Sequence, residues 1–131
     1  MKLKILIEDQ YSIAAIMKGE KCPIEKSIEG FDRDFNALFN LLNRISTNGL
    51  SRLSSTISRQ VNKKPTIFEL RHGRLRFFYF HGKGNMIVIC TESIVKKTDK
   101  VDKSVIDRAI KASNDYHSSI KNNTVTEIRE L

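Results

Sequence analysis

The sequence predicts an α+β domain with a twisted, mainly antiparallel sheet, an N-terminal helical hairpin and a C-terminal helix. Three segments rich in aromatic and β-branched residues, at 67–71, 74–80 and 86–95, are separated by short turns, which is typical of antiparallel strands. Apolar stripes with a period of about 3.6 residues cover 31–45 and 105–120 and indicate helices. With 131 residues, 40% of them hydrophobic, the whole chain is predicted to form a single domain around one core.

The chain opens with a predicted strand, because apolar residues occupy alternate positions over 3–7. Residues 9–21 contain a short apolar group that a glycine and then the Cys22-Pro23 step interrupt. Interruptions of this kind mark turns and loops. This segment is therefore predicted to be mostly loop.

Two helices are predicted to form the hairpin that follows. Pro23 suits the first turn of a short helix that ends near Glu29. A longer helix ends at Asn48-Gly49, a usual stop signal. Its apolar stripe consists of Phe31, Phe35, Leu38, Phe39, Leu42 and Ile45. Apolar residues over 50–61 repeat at a similar but weaker spacing and predict a further helical segment.

A polar connector at 62–65 leads into the three predicted strands, which are joined by turns at 72–73 and 81–85. Ser104 begins a pattern like a capping box, which predicts the start of the C-terminal helix. The helices are predicted to pack on one side of the sheet and to leave a basic groove on the other. Residues 121–131 are polar and are predicted to be a frayed end or an extension of the last helix.

The charge of the chain favours an anionic partner. Lysine and arginine number 23 against 15 aspartate and glutamate, which gives a net charge of +8. Such a charge attracts polyanions over a long range and gains from counterion release, although it also serves solubility alone. Nucleic acid, an acidic protein, or both would fit.

The sequence predicts no metal site and no cofactor. Cys22 and Cys90 lie in different contexts and are predicted to be free thiols in a reducing compartment. His72, His81 and His117 form no cluster with them in sequence. No apolar stretch approaches the roughly 20 residues needed to cross a bilayer, and no secretory signal is evident. A cytoplasmic protein without membrane contact is expected.

Cationic side chains recur at alternate positions along the predicted sheet. Glu69 and Arg71 share one face of a strand, and Arg74 and Arg76 share a face of the next strand. Three guanidinium groups can therefore converge on one concave patch that would hold phosphates. In the alternative interpretation, these arginines pair with Glu69 and other carboxylates on an exposed sheet face.

Several motifs follow one another in a recognisable order. They are the strand Ile67 to Arg71, Arg76 followed by aromatic residues to Phe80, the apolar strand, Lys96-Lys97-Thr98, and a helix from Ala109 to Asp115-Tyr116. This ordered set resembles the HigB-like branch of the RelE/ParE toxin superfamily, which includes phage-derived toxin-like proteins. The resemblance covers residues 67–116 well and the predicted helical hairpin more loosely.

The resemblance implies a RelE-like fold and the toxin of a type II toxin–antitoxin pair. The usual activity is metal-independent endonuclease cleavage of messenger RNA on the ribosome, which inhibits translation. The implied partners are the ribosome with its messenger RNA and a cognate antitoxin with a helix-turn-helix DNA-binding domain. Two other functions stay open: a ParE-like toxin that poisons DNA gyrase, and a catalytically inert nucleic-acid-binding phage accessory protein.

A ribonuclease of this kind uses the 2′-hydroxyl of its substrate to attack the adjacent phosphate, so it must orient the nucleotide and stabilise developing charge. The planar fork of arginine matches two phosphate oxygens, which makes Arg76 the first candidate, supported by Arg71 and Arg74. The resemblance places phosphate-binding or acid/base groups at Lys96 and Lys97, with Lys97 the better catalytic candidate. The alternative is a solvated lysine pair at a strand end.

The group that transfers protons is less well determined by the sequence. His72 lies nearest to the arginines and is the candidate general acid or base, with a simple turn residue as the alternative. Tyr116 could stack on a base, but its helical spacing favours a place in the core. Glu69 is predicted to orient Arg71 rather than to act in catalysis.

Overall fold

One mixed sheet organises the chain in the computed structural model, which describes residues 1–22, 32–49, 57–72, 75–90, 94–95 and 103–129. The described residues contain eight strands and two helices. In chain order they are β1 (Lys2–Glu8), β2 (Ser12–Ile16), α1 (Asp32–Asn48), β3 (Ser58–Asn62), β4 (Ile67–His72), β5 (Leu75–His81), β6 (Met86–Ile89), β7 (Ile94–Val95), α2 (Lys103–Lys121) and β8 (Thr126–Arg129).

The strands lie in the order β3-β4-β5-β6-β2-β1-β8, and β7 pairs with β5. Strands β4, β5 and β6 form the antiparallel run that the aromatic segments predict, and β3 adds to this run beside β4. Within the predicted strand 86–95, the described strands are β6 and β7, which both pair with β5. The contacts of β2 with β6 and of β1 with β8 are parallel. The sheet is therefore mixed. The hairpin of β1 and β2 joins the antiparallel run through the parallel pair of β2 and β6, and β8 pairs in parallel with β1 at the far edge.

The fold class predicted with an N-terminal helical hairpin is wrong. The described N-terminal residues form a β-hairpin, in which Leu3 pairs with Ile16 and Ile5 pairs with Ala14. Strand β2 lies in the segment predicted to be loop. Its residues are buried on both faces of the sheet, so the sequence shows a continuous apolar run. The alternation that indicates a surface strand is therefore missing. The predicted helix over 23–29 lies outside the described residues.

Helix α1 confirms the longer predicted helix and its stop signal. It ends at Asn48, and Gly49 adopts a φ of 80° while its N–H donates to the Ile45 carbonyl at 2.7 Å. This is the left-handed conformation that favours glycine after a helix. The weak helical segment predicted over 50–61 is wrong in its described part, because Ser58–Asn62 forms strand β3 against β4.

The two helices cover opposite faces of the sheet. Strand β5 sends Phe77 and Tyr79 into one core cluster and Phe78 and Phe80 into another. The first cluster takes the α1 residues Leu41, Leu42 and Ile45, and the second takes the α2 residues Val105, Ala109 and Tyr116. The expectation of helices on one side and a basic groove on the other is therefore wrong, since both faces of β5 are buried.

The C-terminal helix α2 is confirmed, and it holds the turn between β5 and β6. Tyr116 is buried in the α2 core cluster, and its hydroxyl accepts a hydrogen bond from the Lys83 backbone N–H at 2.9 Å. The ring of Phe80 lies 5.3 Å from that of Tyr116. Tyr116 therefore has the core role that its spacing favours, and it ties α2 to the sheet.

Residues Thr126–Arg129 of the polar C-terminal segment form a strand, which corrects the expectation of a frayed end or an extension of the last helix. Strand β8 pairs in parallel with β1, and the Thr126 N–H donates to the Met1 carbonyl at 2.8 Å. Arg129 contacts Glu8 across the same pair. Backbone hydrogen bonds rather than apolar burial hold this strand, so its sequence carries little strand signal.

No helix in the described part of the chain is long and apolar enough to cross a membrane.

Candidate functional site

A cluster of charged side chains lies on the face of the sheet that α2 covers. In the antiparallel pairs, Arg59 lies opposite Glu69, and Arg71 lies opposite Arg76. Side chains two apart on a strand share a face, and directly paired residues share it as well. Strands β3, β4 and β5 therefore bring three arginines and one glutamate together on neighbouring positions, which are called the arginine cluster below.

Glu69 is the centre of the arginine cluster. Its side chain is 0% exposed, and one carboxylate oxygen, Oε1, accepts hydrogen bonds from Arg71 Nε at 2.7 Å and from Arg59 Nε at 3.1 Å. The other oxygen, Oε2, is buried and has no hydrogen-bond partner among the described residues. Since a buried charge requires partners, the two arginines are what makes a carboxylate tolerable at this position.

The arginines lie nearer to the surface than the glutamate that orients them. The side chain of Arg59 is 40% exposed and that of Arg71 is 26% exposed. Each contacts Glu69 through Nε, so the Nη donors of each guanidinium lie outside this contact. The cluster therefore places negative charge inside the protein and positive charge towards its surface.

Arg76 completes the cluster from strand β5. It is partly buried, and its backbone pairs with Arg71 on one side and with Ile94 of β7 on the other. Like charges directly opposite each other on a sheet repel, and a neighbouring anion reduces that cost. Glu69 shares this face and lies diagonally from Arg76 in the register, which places a carboxylate beside the two opposed arginines.

Three of the six predicted site residues, Arg71, Arg76 and His72, lie within the described strands. Arg71 and Arg76 are brought together as expected, and Glu69 orients Arg71 as predicted. His72 ends strand β4 with its backbone paired to Leu75, and its side chain is outside the described part. The three further predicted residues, Arg74, Lys96 and Lys97, also lie outside the described residues.

The sequence reasoning missed Arg59. It lies ten residues before Glu69, in a segment whose apolar spacing favours a helix, and a helix would not place it on one sheet face with Arg71. The available sequence signal was the polar connector at 62–65. In the structure this connector is a turn, in which Asn62 Nδ2 donates to the Pro65 carbonyl at 2.7 Å. A turn at that position, rather than a linker, folds Arg59 back beside Glu69.

Other titratable groups near the sheet serve packing. Burial raises the pKa of the Cys90 thiol to about 12, and its Sγ–H donates to the Phe78 carbonyl at 3.3 Å. Burial also raises the pKa of Tyr79, whose hydroxyl lies 2.6 Å from Ser58 Oγ. Both cysteines are free thiols. Within the described ranges, no group of three or more histidine, cysteine, aspartate or glutamate residues is placed to hold a metal ion.

Residues 27–114 match the family described as Phage derived protein Gp49-like (DUF891). The chain belongs to this family. The matched range covers more than half of the chain and includes α1 and every residue of the arginine cluster. No curated protein matches the chain. The match confirms the phage-derived part of the predicted resemblance, and it does not extend to the HigB-like branch.

Proposed function

We propose that this chain is the toxin of a type II toxin–antitoxin pair, HigB-like within the RelE/ParE superfamily, and that it cleaves messenger RNA on the ribosome. The observation that carries the proposal is the placement of Arg71 and Arg76 opposite each other beside a buried glutamate. Membership of the Gp49-like phage-derived family and the net charge of +8 support it.

In the proposed reaction, the 2′-hydroxyl of one nucleotide attacks the adjacent phosphate, and the bond to the 5′-oxygen of the next nucleotide breaks. Negative charge grows on the phosphate oxygens as the transition state forms, and fixed cations stabilise it without further reorganisation. Arg76 takes this role, with Arg71 as a second donor, because a guanidinium can bind two oxygens at once.

Two proton transfers complete the proposed reaction: one from the attacking hydroxyl and one to the leaving oxygen. Lys97 is proposed to bind the phosphate or protonate the leaving oxygen, and His72 is the candidate for the other transfer. Arg74 and Lys96 are proposed to bind flanking phosphates. These four assignments rest on the sequence and on the resemblance.

The proposed partner is an antitoxin with a helix-turn-helix domain, which would inhibit the toxin by covering or distorting the arginine cluster. The proposed place of action is the cytoplasm, where the ribosome and its messenger RNA are found. The net charge of +8 also favours association with both of these polyanions over a long range.

The proposal is tested by inducing the chain in cells without an antitoxin and mapping transcript ends. Wild-type protein should shorten transcripts at once and stop growth, and Arg76→Ala or Lys97→Ala should reduce cleavage about a hundredfold or more, as for a lost oxyanion donor. Arg129→Ala, which removes an arginine on strand β8, is the control and should leave cleavage unchanged.

Three outcomes of that experiment contradict the proposal. DNA damage and filamentation with intact transcripts would indicate a gyrase poison. Harmless expression in the absence of any antitoxin would indicate an inert nucleic-acid-binding protein. Full cleavage by both Arg76→Ala and Lys97→Ala would refute the assignment of the site.

A further inference from the structure

The edge of the sheet presents an arginine that neither the sequence motifs nor the proposed reaction uses. Strand β3 lies at one end of the strand order, and its residue Arg59 pairs with Glu69 of β4. The Nε of Arg59 donates to Glu69 Oε1 at 3.1 Å, and Arg71 Nε donates to the same oxygen at 2.7 Å. One buried oxygen atom therefore fixes two guanidinium groups.

We propose that Arg59 and Arg71 form a phosphate clamp that binds the RNA backbone beside the bond that is cut. Arg59 is then a phosphate-binding residue, and Glu69 is a positioning residue that acts through both arginines. This inference deepens the proposed function and rests on it, since it takes the ligand to be RNA. The clamp would bind phosphate oxygens, so it would bind RNA without a preference for any base.

The geometry of the two arginines favours binding over a purely internal role. Binding through Nε fixes the plane of each guanidinium and leaves its Nη donors outside the contact with Glu69. The side chains of Arg59 and Arg71 are both partly exposed, so those planes lie within reach of a ligand. Because folding has already ordered the two side chains, a phosphate would bind with a smaller loss of conformational entropy.

The balance of charge also favours an anionic ligand. Two arginines, Arg59 and Arg71, donate to the single carboxylate of Glu69. These three side chains together therefore carry a net positive charge. An RNA phosphate brings the negative charge that this arrangement attracts, and Arg and phosphate form strong, geometrically specific hydrogen bonds.

The clamp is tested by measuring how tightly a fluorescein-labelled, single-stranded RNA of ten nucleotides binds, over a range of salt concentrations. The RNA carries 2′-O-methyl groups, so it cannot be cut. Arg59→Gln should weaken binding about tenfold, the effect of losing one charged hydrogen bond. It should also reduce the slope of log affinity against log salt by about 0.7, as expected for the loss of one contact to a single-stranded phosphate.

Arg129→Gln is the matched control for this measurement. Arg129 also lies on an edge strand and donates its Nε to a glutamate of the neighbouring strand, at 3.0 Å from Glu8 Oε1. The two arginines lie at opposite ends of the strand order. Removing Arg129 takes away the same charge, so it should leave the affinity within about twofold and the salt slope unchanged.

Arg59→Lys tests whether RNA binding needs the planar guanidinium group of Arg59 or only its positive charge. It keeps the cation, so the salt slope should stay at the wild-type value, while the affinity falls because the ammonium cannot bind Glu69 and phosphate in one fixed plane. Equal affinities and equal slopes for Arg59→Gln and Arg129→Gln would overturn the clamp. A wild-type protein that does not bind the RNA would overturn it as well.

Failure of the clamp differs from failure of the proposed function. If transcripts are cut in cells but Arg59→Gln binds RNA as the wild type does, the clamp is wrong and the ribonuclease stands. If RNA binding depends on Arg59 but transcripts stay intact, the phosphate clamp stands and the endonuclease is wrong.

Discussion

Replacing Glu69 by glutamine tests the electrostatic design of the arginine cluster. The substitution preserves the size of the side chain and one oxygen acceptor, and it removes the charge that two arginines share. Glu69 is fully buried, and its two hydrogen bonds from Arg59 and Arg71 measure 3.1 and 2.7 Å. Glu69→Gln should therefore lower the free energy of unfolding while the fold is retained.

The magnitude follows from the change in hydrogen-bond type. In Glu69→Gln both bonds still come from charged arginines but lose the opposite charge of the acceptor. If this removes about half of the roughly 1.5–3 kcal/mol that each charged bond contributes, the two bonds lose about 1.5–3 kcal/mol together. Solvent screens part of this loss, because the side chains of Arg59 and Arg71 are 40% and 26% exposed. The expected destabilisation is about 1–2 kcal/mol.

Urea unfolding followed by circular dichroism measures this change. With a slope of about 1.5 kcal/mol per molar urea, the midpoint of Glu69→Gln should fall by about 1 M. Glu8→Gln is the control, because Glu8 accepts two hydrogen bonds from Arg129 but is 49% exposed. Its midpoint should not change measurably. Equal midpoints for the two variants would show that burial does not make the Glu69 pairs stronger than the exposed Glu8 pair.

Other predictions concern the β5–β6 turn and the Cys90 thiol. Tyr116→Phe should cost about 1 kcal/mol because it removes the acceptor of the Lys83 N–H. Gly82→Ala places a Cβ atom 2.7 Å from the Tyr116 hydroxyl, and Tyr116→Phe removes that hydroxyl. In urea unfolding, the double variant Gly82→Ala/Tyr116→Phe should therefore lose less stability than the sum of the two single variants, and an additive result would contradict this. Burial raises the pKa of the Cys90 thiol to about 12 in the folded protein, whereas an unfolded thiol has a pKa of about 8.5. The stability that this difference contributes is therefore fully present below about pH 8.5 and is lost as the pH rises. The urea midpoint should therefore fall more steeply between pH 8.5 and pH 11 in the wild type than in Cys90→Ala, and parallel curves would contradict this.

The antiparallel run and both described helices were accessible from the sequence because their patterns are strong. Strands β4 and β5 combine aromatic residues with a short connection, and α2 combines an apolar stripe with a start signal. Strand β2 was not accessible, since Ile13, Ala14 and Ala15 are all buried and their run shows no alternation. Strand β8 is polar, and it is held by a parallel backbone pairing that joins residues more than 120 positions apart in sequence.

The site was accessible only in part, for a related reason. Arg71 and Arg76 face each other across a single short connection, so strand alternation alone predicts that they meet. The contact of Arg59 with Glu69 depends on a strand whose apolar spacing resembles a helix. The burial of Glu69 depends on packing above the sheet, which no local pattern encodes.

The proposed function requires the arginine cluster to stabilise the transition state of RNA cleavage. The single-turnover rate of messenger RNA cleavage in a reconstituted translation system tests this, with Arg76→Ala and Arg129→Ala compared at equal folded concentration. The predicted result is a rate about a hundredfold lower for Arg76→Ala, with Arg129→Ala at the wild-type rate. Equal rates for all three proteins, or no cleavage by the wild type, would show that the cluster has no such role.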